Sequence, residues 1–242
     1  MPPDDRALAE RLVRAAGAIA LELRGGAVEV KGDATDVVTE ADRRAEAVML
    51  DLLRAERPDD GVLGEEGAAV AGGARRWLLD PVDGTLNYAS GLPAWCSAVA
   101  LVDAEGALAS AVHDPLAGEL FSAARGAGPR TLGSAPTLGE ATVATFVDIR
   151  RRDPEIAAGT AALLERIGAL RAAGCGSLEL AWVADGRLHG WVQADVEPWD
   201  WHPGALLVAE AGGAIAVDGR WHVAAASAAL RDALLAVVAF SG

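Results

Sequence analysis

"WLLDPVDGTLNYASGLP", residues 77–93, changes character halfway along. Trp77, Leu78 and Leu79 read as a buried strand, and they run straight into two aspartates, Asp80 and Asp83, followed by Gly84-Thr85. Two carboxylates directed into one small volume repel each other unless protons or cations stand between them. An all-oxygen site of this kind suits Mg²⁺, which keeps some of its waters and shares carboxylates with substrate phosphate. A helix starting at Gly84-Thr85 would add N–H groups that point at an anion.

Working outward, residues 5–24 place Leu8, Leu12, Ala15, Ala16, Ile19 and Leu23 at helical spacing, with Asp4 and Asp5 in front and Gly25-Gly26 behind. "VEV" is a short strand. Thr39 with Asp42 predicts a capping box that opens a second helix through about Arg57, with Val48, Met49, Leu52 and Leu53 as its apolar stripe. Val62-Leu63 precedes "GEEG", and residues 95–124 alternate apolar runs with turns, as a meander of strands does. In the second half, strands are expected near Thr142 to Val147, near Leu170, at "LHGWVQ", at "GGAIAV" and at "WHVAAA". Helices are expected near 154–168, from Ser177 to Ala184, from Asp200 through Ala211 and over 228–239. This alternation predicts a layered α/β (α+β) fold with two lobes sharing a cleft.

The composition narrows the function classes. A formal charge of −14 disfavours a nucleic-acid surface, which is held by Lys and Arg counter-charge. No apolar run approaches the roughly 18 residues of a membrane span, and "MPPDDRALAE" lacks the pattern of a secretory signal, so a cytoplasmic protein is expected. Cys96 and Cys175 are the only cysteines and read as small core residues.

Four acidic clusters fall at element boundaries: Asp36 in "TDVVTEAD", Glu65-Glu66 in "GEEG", the Asp80 and Asp83 pair, and Asp200 in "PWDWHPG". Each alone reads as a solvated loop carboxylate or a helix cap. Together, flanked by apolar residues and glycines, they read as side chains emerging from a core edge into one cleft. Two divalent ions about 4 Å apart in such a cleft hold the attacking and leaving oxygens of an in-line phosphoryl displacement.

In these segments the chain resembles the inositol monophosphatase family of Mg²⁺-dependent, lithium-sensitive phosphatases. "WLLDPVDGTLNY" and "EPWDWHPGALLVAEAGG" are similar to its two signatures, and "KGDATDVVTEAD" and "GEEG" to its upstream segments, in order and over nearly the whole chain. The resemblance implies one αβαβα layered sandwich over 1–242, with a lobe of about 1–140 carrying the metal motifs and one of about 141–242 carrying the second signature. It also implies a homodimer acting on a small phosphorylated metabolite. Glu65, Asp80, Asp83, Asp200 and the carbonyl of Val82 would hold roughly two or three Mg²⁺ ions. Asp36 and Thr85, helped by Glu65, would position and deprotonate the attacking water, while the amides of Gly84 and Thr85 hold phosphate oxygens.

The chain departs from the family pattern at its substrate end. In "GWVQADVEPWD", Gln193 stands where relatives acting on inositol phosphate have a glutamate, and Asp195 where they have a glycine. Gln both donates and accepts and adds no charge. Ser177 and Gln193 are candidates for leaving-group contact; Glu179 enters the same region, and His202 reads as a packed or exposed helix residue. Pro203 is expected at an early helical position, where its missing N–H costs nothing. Arg150, Arg151 and Arg152 read as a solvated turn, or else overhang the cleft and attract a second anionic group. Histidinol phosphate, 3′-phosphoadenosine 5′-phosphate and fructose bisphosphate therefore stand beside inositol monophosphate as substrates. A catalytically silent phosphometabolite-binding protein is the alternative from another class.

Overall fold

The computed structural model describes residues 4–26, 28–30, 37–128, 132, 136–146 and 153–239. Helix α1 (Asp5–Leu23) is capped by Asp4, whose carboxylate accepts from the Arg6 N–H at 3.0 Å. Strands β1 (Val28–Val30) and β2 (Val37–Thr39) pair antiparallel, and α2 (Glu40–Glu56) follows through the capping box of Thr39 and Asp42. Of its expected stripe, Met49 and Leu53 are buried and Val48 and Leu52 partly so.

The first large sheet contains β3 (Gly61–Gly64), β4 (Ala69–Val70), β5 (Arg76–Asp83), β6 (Cys96–Asp103), β7 (Gly106–Asp114) and β8 (Glu119–Ala124), in the order β4-β3-β5-β6-β7-β8. Only β3 and β5 run parallel; β6 to β8 form the expected meander, and β5 joins it antiparallel to β6. The short helix α3 (Thr85–Ala89) leaves the end of β5.

The second sheet has the order β10-β9-β11-β13-β12, from β9 (Thr142–Thr145), β10 (Ala169–Arg171), β11 (Gly190–Ala194), β12 (Ala214–Asp218) and β13 (Trp221–Ala225). Its helices are α4 (Pro154–Leu164), α5 (Gly176–Ala184), α6 (Pro198–Glu210) and α7 (Ala228–Ala239).

Apolar faces stack these elements into five layers. α1 and α2 cover one face of the first sheet through Leu8, Leu12, Met49, Leu53, Trp77 and Leu79. α5 and α6 pack between the sheets, with Cys96, Ala98, Val112, Leu178 and Leu206 on one side and Ala144, Trp191, Val208 and Ala224 on the other. α4 and α7 close the outer face of the second sheet around Val143, Val192, Val223 and Leu234. The layering is αβαβα. At Gly204 a β-carbon would overlap Leu180, so the Leu180 side chain of α5 lies directly against the backbone of α6. Among the described residues no helix is long and apolar enough to cross a membrane.

Two expectations need correction. The strand read at Trp77 to Leu79 does not stop there: β5 continues through "DPVD" to Asp83 as an irregular, bulged end of the same ladder. Pro203 is not at the helix start. α6 begins at Pro198, which takes the first helical position, and Pro203 lies inside the helix, where it withholds one N–H from the ladder.

Candidate active site

The pleat of β5 decides where its carboxylates point. Trp77 and Leu79 pack toward α1 and α2, so Asp80, one residue on, faces the middle layer. Strict alternation would then send Asp83 to the opposite face. It does not, because Asp80 lies opposite Ala98 and Asp83 opposite Cys96: β5 spends one more residue than β6 on the same span. A bulge of this kind re-aims side chains. Its Pro81 carbonyl accepts from the Ser97 hydroxyl at 2.7 Å, which satisfies the group the irregularity takes from the ladder.

α6 brings the third carboxylate. One oxygen each of Asp80, Asp83 and Asp200 lie within 4.8 Å of one another. Asp83 is braced from behind, its Oδ2 accepting the Ser177 N–H at 2.6 Å. Burial, then the charges of Glu65, Asp83 and Asp200, push the Asp80 carboxyl well above the usual carboxylate range. Asp200 is pushed up by burial and by Asp83 and Glu65, and Asp83 by burial. Asp80 Oδ1 is buried with no hydrogen-bond partner, and among the described residues no Arg or Lys pairs with these three aspartates. Uncompensated, all-oxygen and directed into one volume, the set fits a hard divalent cation. Cys96 and Cys175 also adjoin Asp83, but burial holds the Cys96 thiol up at about 12 and raises that of Cys175, so both stay protonated.

Two residues after Asp83 comes Thr85, the first residue of α3. Gly84 before it has φ 87°, and a β-carbon there would lie 2.9 Å from the Ala94 carbonyl oxygen. The Thr85 hydroxyl has two acceptors in reach, the Val82 carbonyl at 3.0 Å and Asp42 Oδ1 at 3.3 Å. Asp36, expected as the partner of Thr85, lies outside the described residues; the carboxylate that the structure brings to this hydroxyl is Asp42. Its other oxygen, Oδ2, accepts the Thr39 N–H at 2.8 Å and the Thr39 hydroxyl, closing the capping box. Asp42 is wholly buried, and burial raises its pKa. One carboxylate thus caps a helix and meets the Thr85 hydroxyl. The sequence carried a signal for it: the buried face through Met49 and Leu53, followed toward the N-terminus at helical spacing, lands on Glu46 and Asp42.

The residues expected at the substrate end separate. Ser177 is fully buried, its N–H on Asp83 and its hydroxyl 3.4 Å from the Asp200 carbonyl, so it braces the carboxylates. Gln193 shares the middle-layer face of β11 with Trp191, and its Oε1 lies 3.9 Å from where a β-carbon of Gly176 would stand. Asp195 adopts φ 53° and pairs through both oxygens with Arg220, which also holds Asp153 at 2.7 Å. Its carboxylate is thereby tied to the start of α4. Glu179 is buried, accepts the Ala173 N–H at 2.6 Å, and is pushed up to about 8 chiefly by burial. His202 is half-buried, and burial followed by nearby His222 lowers its pKa. Arg150 to Arg152 lie outside the described residues.

Similarity to known proteins runs along the whole chain. Residues 4–233 match the family described as the inositol monophosphatase family. An inositol-1-monophosphatase of Rhizobium meliloti (strain 1021) is 35% identical over 208 residues, covering 79% of this chain and 76% of the relative. A protein named Nus factor SuhB from Xylella fastidiosa is 36% identical over 186 residues, 74% of this chain and 68% of the relative. The crystal structure of extragenic suppressor protein suhB from Bartonella henselae superposes with a TM-score of 0.89 at 27% identity, covering 96% of this chain and 97% of that one.

Proposed function

The chain belongs to the inositol monophosphatase family of phosphoric monoester hydrolases, and from that premise we propose that it is a Mg²⁺-dependent phosphomonoesterase acting on inositol monophosphate or a closely related small ester. The observation that carries this reading is the uncompensated Asp80, Asp83 and Asp200 cluster, with the Thr85–Asp42 pair joined to it through Thr85, two residues along the chain from Asp83. Asp80, Asp83, Asp200, Glu65 and the Val82 carbonyl are the groups that would hold Mg²⁺. When bound, Mg²⁺ supplies charge neutralisation at the phosphoryl oxygens and acidifies a coordinated water.

The chain's own residues do the rest. A threonine hydroxyl is a poor base alone. When Thr85 donates its proton to Asp42 Oδ1, its lone pairs are left to accept from a water, and the proton leaving that water can pass through the hydroxyl to the carboxylate. Burial raises the proton affinity of Asp42, which favours that transfer. The amides of Gly84 and Thr85, held in place by the left-handed backbone of Gly84, orient the phosphate oxygens. Gln193 offers a polyol a neutral donor and acceptor, and Asp195, engaged by Arg220, adds no carboxylate contact of its own to that reading. Together with the inositol-1-monophosphatases among the relatives, this supports a hydroxyl-rich leaving group.

Phosphate release is the test. Side-by-side kcat/KM values with Mg²⁺ should favour inositol 1-phosphate over histidinol phosphate, 3′-phosphoadenosine 5′-phosphate and fructose 1,6-bisphosphate, with Li⁺ inhibiting. Asp83→Asn should lose more than about 100-fold in kcat/KM, since even outer partners of metal ligands cost 10–100-fold. Near-normal turnover by that variant overturns the metal assignment.

A further inference from the structure

We propose that Glu46, a residue that touches neither the phosphate nor the ion in the reading above, positions Glu65 for Mg²⁺; the inference rests on Glu65 being a metal ligand. Glu46 lies on α2 one turn beyond Asp42 and is 6% exposed. Its Oε2 accepts the Glu66 N–H at 3.1 Å and its Oε1 the Ala68 N–H at 3.1 Å. These two bonds grip the tight loop after β3, in which the Gly64 N–H bonds the Ala68 carbonyl at 2.7 Å. Glu65 itself is held on its other side by β5, its N–H bonding the Leu79 carbonyl at 3.1 Å, one residue before Asp80.

The fit leaves no slack at Gly64. A β-carbon there would overlap the Glu46 carboxylate, so glycine is the residue that lets helix and loop close. The loop tip is otherwise open to solvent: Gly67 is exposed, and Glu66 and Ala68 are partly so. A partly exposed loop opens at low free-energy cost unless buried groups tie it down. Glu46 is such a tie. Because an α-helix advances about 5.4 Å per turn and is stiff, the spacing of Asp42 and Glu46 fixes the Thr85 hydroxyl and the Glu65 loop relative to each other. α2 thereby sets one dimension of the site.

Two acceptors are required, which makes a graded test available. Glu46→Gln keeps one carbonyl oxygen and replaces the other with a donor, and Glu46→Ala removes both. Calorimetric Mg²⁺ titration of the full chain should show Kd rising about 10-fold for Glu46→Ala, and less for Glu46→Gln, the loss expected of a residue behind a metal ligand. At saturating Mg²⁺, kcat should return close to the parent value with the substrate KM unmoved. The Glu66 and Ala68 amides should exchange faster in hydrogen-exchange measurements. Gly64→Ala, which displaces the same carboxylate from the loop side, should reproduce the shift in Kd if Glu46→Ala does not fold. A lowered Tm with unchanged Mg²⁺ affinity would make Glu46 a purely structural residue and overturn the proposal. If the parent protein takes up no Mg²⁺, the metal reading itself fails and the inference falls with it; parent binding with unaltered variants defeats the inference alone.

Discussion

The two ends of β5 handle acidic side chains in opposite ways. At its start, Asp5 and Asp60 are surrounded by cations: Arg57 and Arg75 hold Asp5 at 2.6 and 2.9 Å, and Arg75 forks onto both oxygens of Asp60 at 3.0 and 2.8 Å. The Trp77 indole N–H completes the set at 2.9 Å from Asp60. At its far end, Asp80, Asp83 and Asp200 converge with no such partner among the described residues. The acid density is similar. One end is finished by the chain itself, as a bidentate arginine network should be, and the other is complete only with something supplied from outside.

The contrast can be broken most forcefully at Asp80. Asp80→Asn should reduce kcat/KM by more than about 100-fold while raising the Tm of the metal-free protein, because it removes a charge that the fold does not compensate. A metal-free Tm that falls would mean the cluster is neutralised within the chain. Next, Thr85→Val should lower kcat about 100-fold with Mg²⁺ affinity unchanged, and Asp42→Asn should match it if the two act as a pair. Calorimetry beside kinetics separates this from loss of metal. At the opposite end of the strand, Asp60→Ala should cost about 2 kcal/mol in urea unfolding, since it strands the Trp77 N–H and one face of Arg75, and should leave the Mg²⁺ response untouched.

The gentlest effect is one of pH. Glu179 sits at about 8, above its ordinary 4.5, so the native state keeps a proton that the unfolded chain releases. Its stabilisation is fully present below about 4.5 and declines as pH rises toward 8. The raised carboxyls of Asp80, Asp83 and Asp200 act in the same direction in the metal-free protein. A Tm scan from pH 5 to 8 should therefore slope downward without metal, flatten on adding Mg²⁺, and flatten in part in Glu179→Gln. An upward slope would place these groups in the ordinary carboxylate range.

What was legible in the sequence was what is local. The buried strand at Trp77 to Leu79, the glycine before Thr85, the capping box at Thr39 and the Trp-Asp step into α6 each carry their meaning within a few residues, and the structure keeps them. The misreadings arose where a local explanation already sufficed. The capping box alone accounts for Asp42 in the sequence, yet a carboxylate has two oxygens, and the cap uses one of them while Thr85 meets the other. Glu46 and Gly64 are far apart in sequence, and nothing in either segment reveals that one fills the space the other lacks. Asp195 likewise finds its partner 25 residues away, in Arg220. Helix starts suffer from ambiguity of another sort: two prolines stood near the beginning of α6, and only packing decided that Pro198 leads and Pro203 is tolerated inside.

The close meeting of α5 and α6 at Gly204 has a consequence for tolerance in the engineering sense. Asp83 belongs to the first sheet and Asp200 to the helix layer that rests on it, so the gap between them is a stacking distance, set by how near those helices can lie. Four residues after Asp200, a single missing methyl group lets α6 settle against Leu180. Any side chain at Gly204 would act as a shim, thickening the middle layer and widening the span between the carboxylates it carries and those of the sheet below.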